Sequence, residues 1–277
     1  MSAASAVAPG ETDPHCFALL SDTHVARQRE AVHRGTNMFQ NMQTVSKEVL
    51  SLPKPPAAVL VSGDCAFLSG LSSDYEIFLE AIAPYRAAGL HLHCMLGNHD
   101  NRENFWAADG KLRSSASGLD NRQVSVLKAD RANFFLLDSL EKTNSTPGLL
   151  GEDQIRWLAT ALDAHADRPA VIIAHHHLIE GGSMASGLKD TQSLLEVLVP
   201  RKHVKAYVFG HTHHWHHREH EGIHLVNLPP VAYPFNSIDP SGWVRLDLKN
   251  DGASFQLSTV DPRHKQHGER FEVAWRS

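Results

Sequence analysis

Five short clusters of metal-ligand residue types are spread along this chain. Asp22-Thr23-His24 sets a carboxylate and an imidazole two residues apart, which puts both on one side of an extended segment. Gly63-Asp64 carries a carboxylate on a tight turn. Gly97-Asn98-His99-Asp100 offers an amide oxygen, an imidazole and a second carboxylate. His175-His176-His177 offers three imidazoles, and Gly210-His211-Thr212-His213 offers two more. Imidazole mixed with carboxylate is the donor set of zinc, iron and manganese, not of a thiolate site. The donors outnumber what one ion takes, whereas two ions sharing a bridging carboxylate would use them all. Paired ions roughly 3.5–4 Å apart are a standard device for displacement at phosphorus.

Each cluster has a plainer reading when taken singly. Asp22 or Asp64 could cap a helix. The histidine run could be a solvated loop, and Gly97 and Gly210 ordinary turn glycines. Short motifs carry a high false-positive risk. Their placement sets these five apart. Residues 17–20, 57–61, 90–96, 171–174 and 204–209 are apolar, strand-like runs, and each ends at one of the clusters. A further strand over 133–137 ends at Asp138-Ser139. Helical patterns cover 38–52, 74–88 and 191–199, the second with an irregularity expected near Pro84. Another carries Ile155, Leu158 and Leu162 on one face, with Glu152 and Asp153 in its first turn, where the helix dipole favours acids. Beyond residue 213 the pattern turns to β, over 223–228, 243–248 and 255–260. In α/β sheets, ligand sites form beyond the carboxyl ends of strands, so the clusters should meet on one rim.

A length of 277 residues fits one large α/β domain that needs no disulfide to hold its core. We expect that domain over residues 15–260, between a flexible N-terminal tail (1–14) and a loosely held C-terminal tail (261–277). A net charge of −5 offers no basic field for a nucleic-acid polymer or an anionic membrane. No apolar run approaches transmembrane length. Met1 to Pro14 lacks the basic start and apolar core of a secretory signal, so a cytoplasmic location is expected. Cys16, Cys65 and Cys94 have no metal-finger spacing and read as buried free thiols. Histidine is abundant, at 20 residues, and His214, His216, His217 and His220 crowd one segment that reads as a solvated β-hairpin. Tyr233, with Phe235, is a candidate wall of the substrate pocket.

The ordered series Asp-x-His, Gly-Asp, Gly-Asn-His-Asp, His and Gly-His-x-His resembles the signature of the calcineurin-like metallophosphoesterase family. Residues 149–154, running into Trp157-Leu158, are similar to that family's linking helix. The resemblance spans about residues 17–230 and implies a four-layer β-sandwich flanked by helices. It assigns Asp22, His24 and His213 to one divalent ion and Asn98, His175 and His211 to a second, with Asp64 bridging. His99 would stay unligated and face the phosphate and leaving group, with Asp100 hydrogen-bonded to it. His176 and His177 are candidate substrate contacts. The family's His-His-Pro reads His-His-His here, which leaves His176 open as the ligand in place of His175. Phe67 stands where purple acid phosphatases carry a tyrosine, so a phenolate–iron bond is not expected there.

The implied cofactors are two divalent ions of Mn, Fe or Zn that generate a bridging hydroxide. The implied activity is hydrolysis of a small phosphoester. A phosphodiester is favoured, by similarity to bacterial cyclic-nucleotide and glycerophosphodiester phosphodiesterases. A phosphomonoesterase or nucleotide pyrophosphatase is the alternative, and a non-catalytic metal-binding scaffold is the rival from another class. The oligomeric state stays open, a homodimer included.

Overall fold

Side chains that point alternately into two buried faces along the central strands build the layers of this fold. The structure, a computed structural model, describes residues 12–116, 118–179 and 185–277. In chain order its elements are β1 (Asp13–Leu20), β2 (Val32–His33), β3 (Thr36–Asn37), α1 (Met38–Leu50), β4 (Pro56–Val61), α2 (Ser72–Ala87), β5 (His91–Cys94) and α3 (Arg102–Ala108). There follow β6 (Ser125–Lys128), β7 (Asn133–Leu136), α4 (Glu152–Ala164), β8 (Ala170–Ile173), α5 (Thr191–Leu198) and β9 (Val204–Phe209). The chain closes with β10 (His216–His220), β11 (Ile223–Asn227), β12 (Gly242–Leu248), β13 (Gly252–Thr259) and β14 (Arg270–Ala274).

Two six-stranded sheets face each other, ordered β14-β13-β12-β1-β4-β5 and β10-β11-β9-β8-β7-β6. Phe17, Leu19 and Leu60 of the first sheet share one buried core with Phe134, Val171 and Val208 of the second. The alternate residues Ala18, Leu20, Val59 and Val61 turn outward onto Val45 and Val49 of α1 and Phe78 and Ile82 of α2. On the other side, Phe135, Ile172 and Tyr207 cluster with Leu158 and Leu162 of α4 and Leu194 and Leu198 of α5. Both faces of these strands are therefore buried, which explains their unbroken apolar runs. The architecture is the expected sandwich of two sheets between helices.

Strands β1, β4 and β5 are parallel, as are β7, β8, β9 and β11. Their carboxyl ends carry the five clusters. Backbone bonds lace the loops beyond them. Asp22 N donates to Gly63 O at 3.1 Å, His24 N to Asp64 O at 2.9 Å, and Gly210 N to His175 O at 3.1 Å.

Two expectations need correction. Residues 1–11 of the presumed N-terminal tail lie outside the described residues, but Asp13 and Pro14 already belong to β1. The presumed C-terminal tail holds β14, which pairs antiparallel with β13. Its alternation sends Phe271 and Val273 into the core between the sheets, with Phe271 stacked on Phe255 at 5.2 Å. Charged neighbours Arg270 and Glu272 hid that period-two pattern. Helix α3, of 7 residues, and β6, of 4, are too short to show a period in the sequence. The histidine-rich segment is a hairpin, as expected, with β10 at the sheet edge against β11. Among the described residues, no helix is long and apolar enough to cross a membrane.

Beyond β14, the Arg276 guanidinium donates to four carbonyls, those of Val204, Glu221, Leu198 and Arg201. Charged hydrogen bonds contribute roughly 1.5–3 kcal/mol each at most. Arg276→Ala should lower the urea-unfolding free energy by about 1–3 kcal/mol while leaving bound metal unchanged. An unshifted urea midpoint would show the C-terminus to be dispensable.

Candidate metal centre

The strand-end clusters converge into two buried groups. Asp22, His24 and His213 form one, and Asp64, His175 and His211 the other; within each, one ligand atom per residue lies within 4.8 Å of the others. Asp64 stands between them, with Oδ2 3.3 Å from His175 Nε2 and 3.8 Å from His24 Nε2. Asp22 Oδ1 lies 3.2 Å from His213 Nε2 and 3.9 Å from His175 Nε2. Asn98 is buried beside them and lines the same cavity.

An extended segment does not produce this convergence, contrary to the spacing argument for Asp22 and His24. Asp22 (φ 52°), His24 (43°), Asp64 (49°), His211 (68°) and His213 (56°) all occupy the left-handed region. Each such residue without a glycine's freedom costs about 1–3 kcal/mol and persists only where its surroundings enforce it. The backbone bonds between the loops do so here. Gly97 and Gly210 are more than turn residues. A Cβ on Gly97 would strike Asp64 Oδ1 and the His175 ring, and one on Gly210 would strike Ser21 Oγ and Asp22 Oδ2.

The electrostatics call for a cation. Burial pushes the Asp22 carboxyl up, but His213 and His175 outweigh it and hold it below the carboxylate range. Asp64 is likewise buried, and His175 and His24 bring it well below its ordinary value. Burial lowers His24 and His211 to about 3 each. It also acts to lower His175, but Asp64 and Asp22 overcome it and raise that ring to about 9. In the metal-free protein a proton on His175 thus supplies positive charge between two buried carboxylates.

Orphaned atoms make the same point. Asp22 Oδ1, Asn98 Oδ1 and His175 Nε2 are buried without a hydrogen-bond partner. His175 Nδ1 donates to the Ser62 carbonyl at 2.9 Å, and His213 Nδ1 donates to the Tyr233 carbonyl. Once His175 gives up its proton, each ring presents an Nε2 lone pair inward, as metal-ligating histidines do. Buried polar atoms left unpaired are costly, and divalent cations would answer that cost, with Asp22, Asn98 and His175 among the residues to hold them.

The remaining candidates divide. His99 lines the cavity. Asp100 does not hold it, contrary to expectation. Its carboxylate is fully buried and accepts from the amides of Cys65 (3.1 Å), Ala66 (3.1 Å) and Gly97 (2.9 Å) and from Tyr75 Oη (3.0 Å). It braces the Asp64 and Asn98 loops instead. His99 Nδ1 meets the Leu68 carbonyl and Asn144 Oδ1. Nothing in sequence marked Asn144, which reads as one more polar loop residue.

His176 is fully buried, with Nδ1 at 2.8 Å from Ser139 Oγ and Nε2 at 3.1 Å from the Thr146 carbonyl. Both nitrogens are engaged, so it is neither a free ligand nor a substrate contact. His177 faces a separate cavity with Phe209 and Trp215. Tyr233 does wall the site, stacked on His24 at 5.1 Å, and half-exposed Phe235 stacks on His213 at 4.0 Å. Phe67 sits behind, against His33. The cavity holds about 330 Å³.

Residues 17–215 match the calcineurin-like phosphoesterase family. The chain belongs to that family of metal-dependent phosphoester hydrolases. It is 27% identical over 245 residues to the 3′,5′-cyclic adenosine monophosphate phosphodiesterase CpdA of Escherichia coli, covering 84% of this chain and 85% of that protein. The protein of the same name from Pseudomonas aeruginosa is 26% identical over 219 residues, covering 78% and 76%. Among solved structures, a dimetal phosphatase from Danio rerio superposes with a TM-score of 0.73 at 16% identity, covering 95% of this chain and all of that one, a likeness of fold.

The shifted groups predict the pH behaviour of the metal-free protein. His24 and His211 sit near 3 when folded and near 6.5 when unfolded, so unfolding takes up protons between those values. Their contribution is present above pH 6.5 and lost as pH falls towards 3. His175 acts oppositely, stabilising fully below 6.5 and losing that effect as pH rises through about 9. Urea midpoints of chelator-treated protein should fall on both sides. A midpoint that climbs as pH drops below 6.5 contradicts the buried-imidazole account.

Proposed function

We propose that this chain is a two-metal phosphodiesterase for small phosphodiesters, with 3′,5′-cyclic nucleotides the favoured class and glycerophosphodiesters next. The observation that carries the reading is a pair of buried Asp/His groups opening on one cavity, with unpaired acceptors aimed inward. The named activity of the E. coli and P. aeruginosa relatives supports the substrate class. A cavity near 330 Å³ is of the size of a small-ligand site.

In this reading Asp22, His24 and His213 hold one divalent ion, and Asn98, His175 and His211 the other. Asp64 serves both, a role supported by its nearness to a histidine of each group. Manganese, iron or zinc suits the donors. Such ions, when bound, lower the pKa of water and neutralise charge on phosphoryl oxygens. The chain's own residues do the rest. Tyr233 and Phe235 wall the pocket and keep His24 and His213 in place by stacking. His99 is the proton donor to the leaving oxygen, a role its position on the cavity supports. Three free buried cysteines suit the reducing cytoplasm.

A hydrolysis panel on metal-reconstituted protein tests the substrate class. Cyclic nucleotides and alkyl diesters should turn over faster than monoesters or pyrophosphates, and a monoester preference overturns the reading. Asp64→Ala should cost at least roughly 100-fold in rate and deplete both ions, since one carboxylate serves two. Two full-occupancy ions in the folded variant would remove Asp64 from the bridge.

A further inference from the structure

His99 needs an orienting partner, and Asp100 is spent on backbone amides. Its Nδ1 lies 2.7 Å from the Leu68 carbonyl and 3.2 Å from Asn144 Oδ1. A carbonyl only accepts, so Nδ1 carries the proton and Nε2 is left for the cavity. Both partners sit in the left-handed region, Leu68 at φ 53° and Asn144 at φ 64°. For leucine, exposed and lacking any local side-chain bond, that conformation is unfavourable. Strain at Leu68, one of the two residues that hold this imidazole, points to a built contact.

Asn144 is anchored on every side. Its amide N donates to the Asn98 carbonyl at 2.7 Å, and its Nδ2 donates to Ser69 Oγ at 3.0 Å. Next to it, Thr143 Oγ1 donates to the Asp100 carbonyl at 2.7 Å. The loop after β7 is thereby tied to both residues flanking His99. We propose that Asn144 is a positioning residue for His99: with the Leu68 carbonyl it engages Nδ1–H, and so aims Nε2, whose own proton is the one transferred, at the substrate's leaving oxygen.

This rests on His99 as proton donor. Partners that orient a functional imidazole typically contribute roughly 10- to 100-fold, and the proton itself roughly 100- to 10,000-fold. The benefit is greatest for a poor leaving group. The test uses the zinc-loaded full chain. Glycine suits a positive φ, so Asn144→Gly removes the side chain without adding strain. Asn144→Asp keeps an acceptor oxygen and tolerates the same backbone.

Asn144→Gly should slow an alkyl diester by about 10-fold or more and an activated aryl diester far less. Asn144→Asp should recover most of the alkyl rate. In a His99→Ala background, Asn144→Gly should cost nothing further. Nitrogen NMR of the imidazole should report a hydrogen-bonded Nδ1–H in the parent and a mixed or broadened ring in Asn144→Gly, restored in Asn144→Asp. An equal loss in both backgrounds, or an unchanged His99 spectrum in Asn144→Gly, overturns the positioning role. If His99→Ala slows alkyl and aryl diesters alike, the proton-donor reading fails separately, and the NMR comparison still decides whether Asn144 places the ring.

Discussion

Two carboxylates, Asp22 and Asp64, are buried side by side at the heart of this molecule, and much of its architecture answers to them. Both are almost wholly buried, so most of their charge must be met from within. Asp22 accepts from Ser21 Oγ at 2.5 Å and from the His211 amide at 3.0 Å, both through Oδ2. Asp64 Oδ1 accepts from the His99 amide at 2.8 Å. In each case one oxygen is satisfied and the other is turned toward the imidazoles. Hydrogen bonds fix the carboxylates' orientation, and only positive charge completes the site. A paired arrangement of this kind favours a single geometry, because losing any one partner leaves a buried charge exposed to the rest.

That requirement explains the surrounding strain. Five of the residues in the two groups hold left-handed backbones, and two glycines allow loops to approach so closely that no side chain fits. Such a site cannot be built on one sheet. β1, β4 and β5 bring Asp22, Asp64 and Asn98, whereas β8 and β9 bring His175 and His211 from the opposing sheet. The apolar core between the sheets fixes their separation, and so fixes the distance between the residues that each sheet contributes to the centre.

Asp100 shows how a functional-looking residue can act through structure. Its carboxylate gathers the amides of two different loops and the Tyr75 hydroxyl. The loop bearing Asp64 and the loop bearing Asn98 are thus held to one anchor. His176 has the same character. It ties Ser139 and Thr146 behind His175 and packs its ring at 4.6 Å from His211. Both residues stabilise the positions of others without touching the cavity.

The donor types, their order and their position after apolar runs were legible in the sequence, because strand ends and ligand chemistry are both local properties. Gly97-Asn98-His99-Asp100 and Gly210-His211-Thr212-His213 announce themselves by residue type alone. The layered fold was legible for a similar reason, since doubly buried strands must be apolar throughout. Three things were decided only by tertiary structure. Whether His175 or His176 offers a free nitrogen depends on Ser62, Ser139 and Thr146, which lie far away in the chain. Whether Asp100 serves His99 depends on which amides surround it once two loops meet. The seating of residues 270–274 as an edge strand depends on the apolar gap that Phe271 and Val273 fill. Each is a choice between partners distant in sequence, and a residue's own type carries no record of what will be packed beside it.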